Sequence, residues 1–348
     1  MIKVAIDSGP TKSGDALRGI GVHTVNLVKH LRLLKDLDVD VVDFSKTDLS
    51  RYDIAHYQKF HPYFFSIPFS KKTKTVLTIH DLIYLIYPKK YQAGIKGLLR
   101  YWIQKLLINK SDAIITISET SKKDIVRFLG IPREKIHVVY LAPREIFKPI
   151  ENGTLLRSIK TKYALPDKFV LYVGDVNYNK NVLGLCEAAK MAKTPLVIAG
   201  KQAKSEDFDR GHPETKPLAK LLKVYGDDKD IIRLGFVPDE DLVGIYNLAS
   251  VYCQPSFYEG FGLPVLEAFA SGCPVVAAKT QALVEIAEPA ALFADPKNPG
   301  DIAEKIGLVL KDATLRSQLI ETGKILVKKY SWDKVALETH NVYKEILK

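Results

Sequence analysis

The chain has 348 residues, 47% of them hydrophobic and 26% charged, which is too long for one ordinary core and fits two domains. No apolar run reaches the roughly 20 residues needed to span a bilayer, and the first residues read as a strand rather than a signal peptide. The net charge of +11 sits entirely in residues 1–150, which hold 25 Lys and Arg against 14 Asp and Glu. A basic first half predicts either a lysine-rich solvated surface or attraction to an anionic partner: a phospholipid surface, a pyrophosphate-linked acceptor or nucleic acid. Nucleic acid has no further support, because zinc-ligand spacing is missing and aromatics interleave with basic residues only at 89–91. Cys186, Cys253 and Cys273 stand apart in apolar segments, as reduced core residues of a cytoplasmic protein do.

Short β-branched runs at 2–7, 39–44, 54–57, 75–80, 113–118 and 136–140 predict strands. Amphipathic stretches at 21–35, 91–110 and 119–129 predict helices, the last capped by Ser118 and stopped by Gly130 and Pro132. Residues 143–167 hold three prolines and no clear strand, so a domain boundary falls there. We draw the domains as 1–160, 161–330, and a final helical segment 331–348 packing back on the first domain. The second half repeats the plan, with strands at 169–174, 196–200, 231–234, 251–254 and 275–278. Its helices lie near 182–192, 217–225, 239–248 and 264–271, and two helical stretches follow at 301–310 and 332–347. Strands alternating with helices predict α/β architecture: two doubly wound, Rossmann-like parallel sheets facing a cleft. Ligands of such sheets bind beyond the carboxyl ends of strands, so chemistry belongs in the loops that follow them.

The most informative of these loops is Pro255-Ser256-Phe257-Tyr258-Glu259-Gly260-Phe261-Gly262-Leu263-Pro264, followed by Glu267. It leaves a strand and opens a helix. Gly260 and Gly262 permit close backbone approach, and Pro264 suits a first helical turn. Amides at that helix start can cradle phosphate oxygens. Two carboxylates at different depths, Glu259 and Glu267, can accept hydrogen bonds from two sets of hydroxyls, such as sugar and ribose. Either carboxylate alone would also fit a turn or a helix N-terminus.

This string resembles the signature of the large family of retaining glycosyltransferases called family four, which adopt the GT-B fold. The signature is two glutamates separated by seven residues around E-G-F-G-L-P. Thr78-Ile79-His80-Asp81-Leu82 resembles a segment of the mannosyltransferase-like branch, as does Ile115-Thr116-Ile117-Ser118-Glu119 followed by Ser121-Lys122. Gly19-Ile20-Gly21 resembles the N-terminal glycine loop, and Lys180-Asn181 the end of the motif after the first strand of the second domain.

The resemblance implies a transferase acting on a nucleotide-diphospho-sugar. Glu259 would bind the sugar hydroxyls and Glu267 the ribose. Backbone groups of Gly260, Phe261, Gly262 and Leu263, with Gly174 and Gly21, would approach the donor. Lys180 would offset charge on the leaving diphosphate, and His80 would complete the site from the first domain. Asp81 is a further candidate, toward acceptor or local amides. Retention in the family is explained by same-face attack with the departing phosphate as base. The branch favours mannose, from GDP-mannose, transferred to a glycan or lipid-linked acceptor in cell-envelope polysaccharide or glycolipid synthesis. UDP-glucose and UDP-N-acetylglucosamine are the other donors considered.

One position departs from the pattern. The family commonly carries arginine directly after the motif glycine, where this chain has Asp175. Arg18 and Lys201 are candidates to replace its charge toward phosphate. The D-x-D string Asp36-Leu37-Asp38-Val39-Asp40 is the metal-holding pattern of other sugar transferases, but it precedes a strand, so it reads as a solvated connection. We therefore expect no obligatory metal and no cofactor. Two readings stay open beside transfer: an epimerase or phosphorylase on the same architecture, and a sugar-nucleotide-binding protein without turnover.

Overall fold

The structure, a computed structural model, describes residues 1–12 and 19–348. The chain divides into two compact units, Met1–Ala142 with Tyr330–Lys348, and Pro143–Lys329.

The first unit is built on six parallel strands: β1 (Ile2–Asp7), β2 (Leu37–Val42), β3 (Ile54–Tyr57), β4 (Lys74–Ile79), β5 (Ala113–Thr116) and β6 (Ile136–Val138). Their order across the sheet is β2-β1-β3-β4-β5-β6. The inner strands are buried along nearly their whole length, which is why they read as continuous apolar runs instead of alternating ones. The edge strand β2 differs. It begins at Leu37, not at 39, so Asp38 and Asp40 lie within it and not in a connection, alternating outward against buried Leu37 and Val39. Charge on an exposed edge discourages pairing with another chain. Asp40 accepts a hydrogen bond from the Tyr52 hydroxyl at 2.9 Å, and Asp36 pairs with His340 at 3.0 Å.

The last helix, Trp332–Leu347, belongs to this unit. Trp332, Val335, Ala336, Val342 and Tyr343 join the core that Val4, Ile6 and Leu27 form. The Tyr343 hydroxyl shares a buried 2.6 Å hydrogen bond with Nδ1 of His56 on β3.

The second unit has β7 (Val170–Val173), β8 (Leu196–Ala199), β9 (Ile231–Gly235), β10 (Val251–Gln254), β11 (Val275–Ala278) and β12 (Ala291–Ala294), ordered β12-β11-β10-β7-β8-β9 and all parallel. Counted within the unit, that is the 3-2-1-4-5-6 order of dinucleotide-binding sheets, and the direction of winding reverses between β7 and β10. Residues 143–160, drawn with the first domain on sequence, belong here. The reason is packing: the helix Gly153–Lys162 buries Ile159 against the helix Asp239–Leu248, where Gly244 leaves the room, since a Cβ there would stand 2.3 Å from Ile159 Cδ1. Asn247 ties down the preceding segment by accepting from Ile150 N at 2.8 Å and donating to Lys148 O at 3.1 Å. All three cysteines are buried in this unit as free thiols. Among the described residues, no helix is long and apolar enough to cross a membrane.

Candidate active site

The loops after β7 and β10 lie side by side at the switch point of the second sheet, and three hydrogen bonds through Asn179 and Asn181 stitch them together. Phe257 N donates to Asn179 O at 2.8 Å, and Asn179 Nδ2 donates to Tyr258 O at 3.1 Å. Asn181 adopts a left-handed conformation, φ 53°, which asparagine tolerates better than most residues. From there its amide reaches the carbonyls of Pro255 at 3.1 Å and Pro296 at 2.7 Å. Lys180, between these two asparagines, is thereby carried to Glu259.

The Glu259 carboxylate is buried and has four hydrogen-bond contacts. Lys180 Nζ stands 2.9 Å from each oxygen, and Oε1 also accepts from Gln254 Nε2 at 2.8 Å and Ser256 Oγ at 2.6 Å. Gln254 is fixed in turn, donating to Ser256 Oγ at 2.8 Å and accepting from the Tyr252 hydroxyl. Such a carboxylate is oriented to one direction, and its lysine is a cation held within reach of whatever enters.

Gly262 follows at φ +112°, and a Cβ there would meet Leu283 Cδ2 at 2.6 Å, so no other residue fits without displacement. It begins the helix Leu263–Ala270, which has no side-chain cap. Phe261 is buried, so its side chain anchors the loop in the core and only its backbone is placed to serve a ligand.

Glu267 lies one turn into that helix and is also buried, but its surroundings differ. Burial pushes its carboxyl up to about 7, against the pull of the Arg144 guanidinium. Arg144 Nη2 donates to Glu267 Oε1 at 3.2 Å, Nη1 bonds Asp239, and Tyr246 donates to Oε2 at 3.4 Å. Arg144 Nε is buried without a hydrogen-bond partner among the described residues. Both glutamates act on the buried Tyr252 phenol, whose ionisation is pushed up by burial, then by Tyr172, Glu259 and Glu267. The two carboxylates thus share one neighbourhood.

The remaining positions of the second unit are mixed. Gly174 stands at the end of β7, φ +148°, with its carbonyl so close to Gly200 that a Cβ on Gly200 would lie 2.1 Å away. Asp175 makes no ion pair among the described residues, and its carbonyl accepts from the Tyr172 hydroxyl at 2.8 Å. Lys201 opens a short turn after β8, exposed and without an ion pair among the described residues.

In the first unit, His80 directly follows β4, with its carbonyl held by Ser121 Oγ at 2.9 Å. Its ring packs edge-on to His23 at 5.0 Å, and its Nε2 is buried without a hydrogen-bond partner among the described residues. Burial lowers its pKa to about 4, so the ring is neutral at physiological pH. Asp81 accepts from Ile83 N at 3.1 Å, an Asx turn. Gly19-Ile20-Gly21 is not a loop: it forms the first turn of the helix Gly19–Leu31, with Gly21 buried. Arg18 lies outside the described residues.

Sequence reasoning missed Arg144, Gln254, Ser256 and Asn179. Gln254 ends the strand and Ser256 stands inside the quoted loop, so a polar pair at the end of an apolar strand was a usable signal. Arg144 is 123 residues from its partner and had none.

Residues 157–325 match the family described as Glycosyl transferases group 1, and residues 42–142 match Glycosyltransferase Family 4. The chain is 31% identical to O-antigen chain mannosyltransferase B of Escherichia coli over 280 residues, 78% of this chain and 70% of that protein. It is 29% identical over 273 residues to the serotype-specific mannosyltransferase WbdA of the same organism, covering 76% of this chain but only 32% of that longer protein. HepE of Anabaena, solved with UDP and glucose, has the same fold, with a TM-score of 0.76 at 14% identity, covering 99% of this chain and 100% of its own. With two parallel six-stranded sheets and this motif at the switch point of the second, the chain belongs to glycosyltransferase family 4 and is a glycosyltransferase of GT-B fold.

Proposed function

We propose that this glycosyltransferase moves a hexose, mannose first among the candidates, from a nucleotide-diphospho-sugar to a glycan or lipid-linked acceptor, with retention and without a metal ion. The observation that carries the reading is the Lys180–Glu259 pair at the switch point, with Gln254 and Ser256 fixing the carboxylate. In this reading Glu259 accepts hydrogen bonds from the sugar hydroxyls and Glu267 from the ribose. The diphosphate lies against backbone near Gly174 and the start of the helix at Leu263. Lys180 turns from Glu259 toward the diphosphate as its charge grows in the transition state. His80, neutral, is suited to a hydrogen-bonding role and not to that of an acid. Support for mannose comes from the names of the two Escherichia coli relatives, and HepE, solved with UDP and glucose, keeps uridine donors in the panel.

The test is release of nucleoside diphosphate from GDP-mannose, UDP-glucose and UDP-N-acetylglucosamine, in the presence of a chelator, with lipid and glycan acceptors supplied. Turnover with one donor is expected, and Glu259→Gln should lower it about a hundredfold with the fold intact, the scale seen when one preorganised group is removed. Full activity in that variant removes the role given to Glu259. Donor binding without turnover in the unaltered protein would favour the binding-protein reading, for which Asp175 in place of arginine is the specific observation.

A further inference from the structure

We propose that the helix Gly94–Ile108, with the neighbouring loop that carries Phe64, Phe65 and Phe69, is the face by which the N-terminal unit lies on an anionic bilayer surface. The helix has two apolar faces where a surface helix needs one. Gly97, Leu107 and Ile108 point inward and are buried. Ile95, Leu98, Leu99, Trp102 and Leu106 point outward, with Ile95 89%, Trp102 60% and Leu106 72% exposed. Positions 95, 99, 102 and 106 recur at steps of four, three and four, so they form one stripe along the helix.

The neighbouring loop exposes apolar side chains of its own. Gln104 Oε1 accepts from Ser66 N at 2.8 Å, which ties the loop to the helix. The Arg100 guanidinium lies 5.8 Å from the Phe64 ring and 5.9 Å from that of Phe65, and Phe65 sits 5.3 Å from Phe69. All three phenylalanines are exposed. So many large apolar side chains exposed on one helix and on the loop tied to it mark a surface that meets something.

Charge says what it meets. Residues 59–110 contain ten Lys and Arg and one acidic residue, Asp81. Lys71, Lys72 and Lys74 are paired with Asp112 and Asp48, while Lys89, ahead of the helix, and Lys96, in its first turn, are exposed. Lys105 passes the Trp102 ring at 5.6 Å and gives its ammonium to Phe128 O at 2.9 Å, so the exposed lysines supply the free charge. Tryptophan and phenylalanine interleaved with long basic side chains suit the boundary of acyl chains and headgroups, where apolar stems enter and cationic heads stay at the phosphates. A second copy of this face would bring two basic surfaces together against like-charge repulsion. The helix has 15 residues, too short to span, so it lies in the plane of the surface.

The test is co-sedimentation of the full chain with vesicles of phosphatidylcholine alone or mixed with phosphatidylglycerol, without any sugar donor, so the result is independent of the transfer reaction. The chain contains two tryptophans, and Trp332 is buried, so a fluorescence change on vesicle addition reports Trp102. Expected results are binding to the phosphatidylglycerol vesicles that weakens with salt, a blue shift, and about tenfold weaker binding in both Leu99→Glu/Leu106→Glu and Lys89→Glu/Lys96→Glu, with unchanged melting temperatures. No binding to those vesicles at low salt overturns the proposal. So does binding that the Leu99→Glu/Leu106→Glu variant retains in full, or a vesicle-independent dimer that the same variant abolishes in a chain that ignores lipid.

Discussion

Burial pushes the Glu267 carboxyl up to about 7, and this has consequences of opposite sign for binding and for stability. The folded state holds a proton that the unfolded state releases near its ordinary value of 4.5, so folding stability is greatest below about 4.5 and is lost as pH rises toward 7. Ribose recognition needs the opposite form, because an ionised carboxylate accepts from two hydroxyls. Donor affinity should therefore fall as pH drops below about 7, approaching tenfold per unit. Titration calorimetry across that range checks it: the inflection should vanish in Glu267→Gln and survive His80→Asn, because His80 titrates near 4. Arg144 sets how far the shift goes. Its side chain is only 18% exposed, so Arg144→Ala would leave Glu267 buried without its cation, at a cost of about 3 kcal/mol where the carboxylate is ionised. The loss in melting temperature should shrink on acidification to about pH 5, where Glu267 is already protonated in the folded state.

At the scale of elements, the site depends on strand ends and on the turns that leave them. Gly262→Ala forces a side chain into φ +112° and against Leu283, and should destabilise the second unit by about 2 kcal/mol while weakening donor binding. Thermal melts and donor titration of the variant check both effects. The glycine-rich string was legible in the sequence because its residue types are demanded by local backbone geometry. So were the strands, since parallel strands buried on both faces leave continuous apolar runs. β12 was missed because Ala291–Ala294 is short and alanine-rich, and the helix Gly153–Lys162 because it follows prolines and buries only Ile159. The segment at Gly19 was misread because glycines suggest loops, whereas here they form the first turn of a helix. The Arg144–Glu267 contact was invisible for a different reason: it is created by packing, with no local pattern at either end.

At the scale of the whole molecule, each unit has its own core, but the first is completed by the end of the chain. Removing residues 330–348 would uncover Val4, Ile6 and Leu27 and leave the His56 ring without Tyr343. Limited proteolysis of that truncated chain should digest the first unit rapidly and leave a resistant fragment near 143–329. Burial also holds His56 near 3 and His80 near 4, so acidification below 6.5 should loosen the first unit, in the direction opposite to the effect of Glu267 on the second.

The returning helix also imposes an order on synthesis. A ribosome delivers β1 to β6 first, yet the sheet they form cannot seal until Tyr343 has left the exit tunnel. The later-made unit has all its strands and helices by residue 329 and can close earlier. The first-made half of the chain is thus the last to finish, and through most of translation its apolar face is what a chaperone would find.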